Sequence, residues 1–189
     1  MLAALVHHGL LLKQDRVLPD VVGMVAGEKL ATSWWGHPQG RRIFAVLSEL
    51  ADHEDVLFVK LVGGKDTLVH RRHWPELLAI GAAREPWQLR GLAPASRSLL
   101  AQLDSNDAPV RAAGAPAKEL QLRLLGVARE VHTVSGRHEL ALESWQAWAK
   151  RLHCRPAKSV PLARELIEGA LAAMGGSRAA LPWPAMAKP

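Results

Sequence analysis

Gln14 and Asp15 are adjacent, follow an apolar run, and form one of two leads to catalysis in this sequence. A carboxylate beside a bound sugar can position a water molecule or stabilise an oxocarbenium-like cation, which is the chemistry of glycosidic bond cleavage. Glu54 and Asp55 are the other lead, an acidic pair that fits the same role. The alternative is that Asp15 and Asp20 are turn or N-cap residues, which is the default use of aspartate at such positions.

Basic residues that suit phosphate binding occur in two places. Arg41 and Arg42 open a predicted helix, where cations oppose the helix macrodipole unless a phosphate docks there. Lys65, Arg71 and Arg72 lie on a predicted hairpin, from which side chains reach backbone phosphates. If all five bind phosphates, log affinity for duplex DNA falls against log salt with a slope of about −4 to −5. The alternative is that they are solvated surface charges.

Trp34 and Trp35 precede a Gly-His-Pro turn just before the same helix. A solvent-facing indole beside a cationic helix can stack on an unpaired base. The alternative is that the pair packs on the core, because an indole buries a large apolar area. Trp74 and Trp145 each follow a predicted hairpin, and this repeated position favours core packing for both.

Sequence motifs for metals and nucleotide cofactors are absent. The histidines are scattered, Cys154 has no CxxC partner, and there is no HExxH. Neither GxGxxG followed by an acidic residue nor GxxxxGK[ST] occurs, and there is no GxSxG elbow. The sequence therefore predicts no metal site and no cofactor.

Overall charge points to a polyanionic partner. The 189 residues carry a formal charge of +6, and the single cysteine excludes an intramolecular disulfide. No apolar run reaches the roughly 18 residues needed to span a bilayer, and the first residues lack the positive region of a signal peptide. These features predict a protein of the reducing cytoplasm, associated with the nucleoid and without a membrane partner.

An amphipathic helix followed by a hairpin is the clearest structural pattern. The helix begins at Gly40 with Ile43, Phe44, Val46, Leu47 and Leu50 on its apolar stripe. Two β-rich runs then flank Gly63-Gly64, which predicts a tight hairpin. Strand alternation predicts Leu57, Val59 and Leu61 in the core and Lys60 in solvent. A helix feeding a two-stranded ribbon is the back half of a winged helix.

The pattern returns in the second half of the chain. A helix from Lys118 to Gly126 precedes a predicted hairpin that turns at Ser135-Gly136. A shift of 75 residues aligns Leu47 with Leu122, Leu50 with Leu125 and Val56 with Val131. We therefore predict an α+β, mostly helical fold of two tandem winged-helix-like units plus a C-terminal helix. The predicted domains are residues 1–85, residues 86–155, and residues 156–189 with a loosely ordered tail.

The tandem winged-helix order, with Gln14-Asp15 after an apolar run, resembles the bacterial DNA glycosylases that unhook interstrand crosslinks. Those enzymes contain several winged helices and a short Gln-containing motif with an acidic residue. The family separates the Gln and the acidic residue by one position, whereas Gln14 and Asp15 are adjacent. The resemblance implies catalytic roles for these two residues and duplex DNA as the substrate.

Three hypotheses follow. The first is a bacterial winged-helix protein of DNA repair that binds double-stranded DNA through the basic residues. The second is a winged-helix DNA glycosylase, which needs a carboxylate in a pocket beside the basic face. The third is a winged-helix module that binds a protein partner. One exposed positive face formed by Arg41, Arg42, Lys65, Arg71 and Arg72 would separate the first from the third.

Overall fold

The structure, a computed structural model, describes residues 1–132 and 138–185. It is an α+β fold that forms two compact units. Unit 1 comprises Met1–Trp74 and Glu165–Pro182, and unit 2 comprises Pro75–Arg164 and the residues from Trp183 onward. Unit 1 thus ends before the predicted boundary at residue 85, and residues 165–182 return to it instead of forming a separate C-terminal domain. In the described part of the chain, no helix is long and apolar enough to cross a membrane.

Unit 1 contains a three-stranded antiparallel sheet and the helices that precede its hairpin. Its elements up to residue 74 are α1 (Leu2–His8), β1 (Leu10–Leu12), α2 (Val21–Ala26), α3 (Gly40–Ala51), β2 (Val56–Lys60) and β3 (Asp66–His70). The strand order is β1-β3-β2. Strand β1 was not predicted, because three leucines in a row carry no alternation and only their pairing with β3 makes them a strand.

The hairpin of β2 and β3 confirms the prediction. Lys60 pairs with Asp66, and Gly63 and Gly64 have positive φ angles that glycine adopts without strain. Leu57, Val59 and Leu61 are buried as expected. Lys60 is only partly exposed, however, and its ammonium lies 2.7 Å from Oδ1 of Asp66.

Both faces of β2 are buried, which alternation alone did not indicate. Val56 and the partly buried Phe58 lie in one hydrophobic core with Ile43, Leu47 and Leu68. The opposite face of the strand carries the buried leucine and valine side chains named above. A strand with two buried faces has a continuous apolar sequence, as Val56 to Val62 does apart from Lys60.

Helix α3 buries Ile43, Leu47 and Leu50, as the stripe predicted. Phe44 is an exception: it is 54% exposed, so its assignment to the apolar stripe was wrong. Consecutive helical residues are separated by about 100° around the axis, so the neighbour of a central core residue lies on the flank of the helix. Phe44 points from this flank toward Trp35, and the two ring centroids are 5.9 Å apart.

Unit 2 has a second three-stranded antiparallel sheet, with the order β4-β6-β5. The remaining elements of the chain are α4 (Trp74–Ala82), α5 (Pro86–Leu89), α6 (Pro94–Asp104), β4 (Val110–Arg111), α7 (Gly114–Leu122), β5 (Val127–His132), β6 (His138–Glu143), α8 (Trp145–Leu152) and α9 (Val160–Ala173). Helix α9 enters unit 1 at Glu165. Strands β5 and β6 are antiparallel neighbours, and the predicted turn at Ser135-Gly136 lies outside the described residues.

The two units share the sheet order first-third-second, but the predicted shift of 75 residues was wrong. Val56 and Val127 begin the hairpins, and Trp74 and Trp145 begin the helices after them. Each of these pairs is 71 residues apart. The leucines of two helices can be aligned at several different shifts, whereas the first residues of the strands can be aligned at only one.

The chain after Ser177 was predicted to be a loose tail, but as far as residue 185 it is packed. A 3-10 turn spans Arg178–Ala180, and Leu181 and Trp183 are buried. Nε of Arg178 lies 3.0 Å from Oε1 of Glu168. The small and proline residues of this segment suggested disorder, but its two large apolar side chains bury enough surface to order it.

Candidate nucleic-acid interface

Asp15 holds a turn in unit 1. Its Oδ1 accepts hydrogen bonds from the backbone N–H groups of Val17 and Leu18, both at 2.9 Å. Its Oδ2 lies 2.6 Å from the ammonium of Lys65. Burial raises the pKa of Asp15, but the hydrogen bonds from Lys65 and the two backbone groups outweigh burial and lower the pKa to about 2. The carboxylate is therefore ionised and engaged by the chain itself.

Gln14 also ties loops together. Its side-chain amide donates hydrogen bonds to the carbonyl oxygens of Thr32 at 2.6 Å and Leu30 at 3.2 Å. These bonds join the turn after β1 to the segment before Trp34. Asp20, the other aspartate considered as a cap, accepts from the backbone N–H of Gly23 and caps α2. The capping interpretation of Asp20 is thus confirmed, and the contacts of Asp15 are those of a turn residue.

The hairpin cations are paired within unit 1. Besides Lys65, Arg71 is held by Asp55, whose Oδ1 lies 2.9 Å from Nη1. Arg72 donates to the carbonyl oxygens of Val6 and His7, at 2.7 and 3.2 Å, and so satisfies the C-terminal end of α1. Of the five basic residues whose single exposed positive face would favour DNA binding over protein binding, these three are therefore engaged by other groups of unit 1.

Arg41 and Arg42 differ from the other cations. Both lie exposed in the first turn of α3, and neither has a hydrogen bond or ion pair with the described residues. The side chain of Gln39 makes no capping hydrogen bond, and the first turn contains no acidic residue. The start of α3 thus combines two guanidinium groups with the positive end of the helix dipole, an arrangement that attracts phosphate.

The two tryptophans before α3 have different environments. Trp34 is 5% exposed and Trp35 is 69% exposed. Their rings stack, with centroids 4.1 Å apart and planes 23° apart. Trp34 is therefore a core residue, whereas Trp35 presents an aromatic surface beside Phe44 at the start of α3. Sequence reasoning missed Phe44 because it lay on the expected core stripe.

A cleft of about 310 Å³ adjoins this region, and the residues that line it all belong to unit 1. It is lined by Lys13, Gln14, Trp34, Lys60, Lys65 and Asp66. The carboxylate in the cleft is Asp66, which lies 2.7 Å from the ammonium of Lys60 and 3.9 Å from that of Lys13. Its role was not predicted, although the cross-strand pairing of Lys60 with Asp66 follows from the hairpin register.

Among the described residues, no group of three or more His, Cys, Asp or Glu side chains could hold a metal ion. Unit 1 brings together, at the start of one helix, two arginines without a partner among the described residues, an exposed indole and a phenyl ring. Comparison of the chain with protein-family models, characterised proteins and solved structures found no match.

Proposed function

We propose that unit 1 binds double-stranded DNA as a winged-helix module, with α3 as its recognition helix. The observation that carries the proposal is that Arg41 and Arg42, at the exposed start of α3, have no hydrogen bond or ion pair with any residue that the structure describes. Arginine contributes strong hydrogen bonds to phosphate oxygens, because its planar guanidinium presents several donors in a fixed geometry.

The order of elements supports this proposal. Helix, strand, two helices and a hairpin follow one another in unit 1, and the first strand pairs with the last. In a helix-turn-helix protein the second of two successive helices enters the major groove with its N-terminal residues on the DNA. In unit 1 that helix is α3, and its N-terminal residues are the arginines.

The wing contributes less than the sequence indicated. Only Leu61 to Lys65 connect β2 to β3, and the tip at Val62–Gly64 packs against the 3-10 turn at Arg178–Ala180 of the same unit. Lys65 is occupied by Asp15, Arg71 by Asp55, and Arg72 by backbone carbonyl oxygens of α1. Phosphate binding therefore depends on two residues, and we expect a salt slope of about −2 instead of −4 to −5.

The contacts of Asp15 favour binding over base excision. A carboxylate that stabilises a sugar cation must face the sugar, whereas both oxygens of Asp15 accept hydrogen bonds from the protein. Asp66 in the cleft is likewise paired with lysines. Base excision would thus require a carboxylate that is already paired within the protein, whereas duplex binding by Arg41 and Arg42 does not.

Fluorescence anisotropy of a labelled duplex over a salt series tests the proposal. Replacing Arg41 and Arg42 by alanine should weaken binding about 10- to 100-fold at low salt and flatten the salt slope, because both phosphate contacts are lost. Replacing Lys65 and Arg71 by alanine should leave the slope unchanged, since these side chains are bound within the protein.

The matched control is the double alanine variant of Arg155 and Lys158. Both are cations of unit 2 for which the structure shows no ion pair with a described residue. Their removal changes net charge by the same amount as the α3 variant. Equal loss of affinity in the two variants would show that overall charge, not α3, attracts the DNA. Absence of duplex binding at low salt would overturn the proposal outright.

A further inference from the structure

We propose that the outer face of Trp35 stacks on an unpaired nucleobase, so that unit 1 binds DNA with an extrahelical base more tightly than a perfect duplex. The inference rests on the proposed DNA binding and specifies its substrate class. Four residues carry it: Trp35, Phe44, Arg41 and Arg42, which we call the Trp35 platform.

Trp35 is placed to offer one aromatic face. Its ring stacks on the buried Trp34 at 4.1 Å, which supports it from below, while 69% of its surface remains exposed. Phe44 borders it at 5.9 Å and is itself 54% exposed. Two adjoining, largely exposed aromatic rings are unusual for a protein surface in water, where single apolar residues are the norm.

The platform is held rigidly against α3. The backbone N–H of His37 donates to the carbonyl oxygen of Trp34 at 3.0 Å, and that of Gly40 donates to the carbonyl oxygen of His37 at 2.7 Å. A Cβ atom on Gly40 would lie 3.2 Å from the carbonyl oxygens of both Trp34 and Trp35. Glycine thus permits the close approach that fixes the indole relative to the arginines.

The neighbouring charge selects a nucleobase over an apolar peptide. Arg41 and Arg42 carry no partner among the described residues, and the first turn of α3 has no acidic side chain to balance them. A nucleotide supplies both complements at once, a flat ring for the indole and a phosphate for the guanidinium groups. Aromatic stacking beside arginine is the usual means by which proteins bind unpaired bases.

The test compares two labelled DNAs of the same sequence, a perfect duplex and one with a single-nucleotide bulge. Wild-type protein should bind the bulged DNA about tenfold more tightly, the effect expected for one stacked base. Trp35→Leu should abolish this preference, so that the variant binds the bulged and the perfect DNA equally tightly, because leucine has no aromatic face to stack on the base. Trp35→Phe should retain it, because phenylalanine keeps an aromatic face and leucine does not.

Val17→Ala serves as the control, because Val17 is an apolar residue of unit 1 that is 81% exposed and should not affect either DNA. Equal binding of the two DNAs by the wild type would overturn this inference and leave the proposed duplex binding standing. If the wild-type protein does not bind the perfect duplex, the proposed function itself fails, which is a separate result. If the wild type is a dimer and Trp35→Leu is a monomer, the Trp35 platform binds a second copy of the chain. That result would also overturn the inference.

Discussion

The ammonium of Lys65 lies 2.6 Å from Oδ2 of Asp15, a residue fifty positions earlier in the chain. This ion pair joins the turn after β1 to the start of β3. It also removes two candidates from a functional surface at once, since a carboxylate suited to catalysis and a cation suited to phosphate binding neutralise each other. Arg41 and Arg42, by contrast, have no hydrogen bond or ion pair with the described residues and lie exposed at the start of α3.

Asp15→Ala should lower the free energy of unfolding by about 1–2 kcal/mol at pH 7, because hydrogen bonds to two backbone N–H groups and to Lys65 are lost. The pKa of Asp15 is lowered in the folded protein, to about 2 from 3.8. Its stabilising contribution is therefore present above pH 3.8 and disappears as the pH falls toward 2. Urea unfolding of wild type and variant at several pH values measures this.

The difference in unfolding free energy between the wild type and Asp15→Ala should accordingly decrease in acid. Asp15→Asn provides the control, because its amide oxygen can still accept one backbone hydrogen bond and so loses less stability. A difference that stays constant from neutral to acid pH would contradict the proposed role of the ionised carboxylate.

His73 should make unit 1 less stable in mild acid. Burial, followed by the charges of Arg72 and His70, lowers the pKa of His73 from 6.5 to about 4. Between these values the unfolded chain binds a proton that the folded protein does not, so stability falls as the pH drops from 6.5 to 4. After allowance for solvent screening, the loss should be about 1–2 kcal/mol.

His73→Gln should flatten this part of the stability profile, measured by thermal unfolding between pH 7 and pH 4. The same substitution at the exposed His153 is the matched control and should keep the wild-type profile. If the His73 variant retains the full acid sensitivity, another group is responsible.

Two helical glycines should respond to alanine with opposite signs. A Cβ atom on Gly81 in α4 would lie 2.1 Å from Nε1 of Trp145, which donates to the carbonyl oxygen of Leu124 at 2.7 Å. Gly81→Ala should therefore destabilise the protein by about 1–3 kcal/mol. Gly169 in α9 is exposed, and a Cβ atom at this position would meet no atom of the described residues within 4 Å beyond the backbone of its own helix. Gly169→Ala should therefore stabilise the protein by about 0.5–1 kcal/mol.

Melting temperatures of the two glycine variants check this pair. Equal stability of Gly81→Ala and wild type would mean that Trp145 can move without losing its hydrogen bond. Such a result would contradict the tight packing of α4 on the tryptophan.

Features that depend on neighbouring residues could be predicted from the sequence. Gly63-Gly64 between two apolar runs determines a hairpin, because glycine alone adopts positive φ freely. The cap that Asp20 forms on α2 is likewise local, since Asp20 and Gly23 lie within one turn of the helix.

Other features were decided only by tertiary structure, because the partners are far apart in the chain. Arg72 meets the carbonyl oxygen of Val6 across 66 positions, and Lys65 meets Asp15 across 50. No local pattern distinguishes such engaged cations from Arg41 and Arg42, which have the same chemistry and no partner among the described residues. The sequence thus specified which residues are basic, whereas the fold decided which of them other groups already engage, because an ion pair or a hydrogen bond forms only where the chain brings its two partners together.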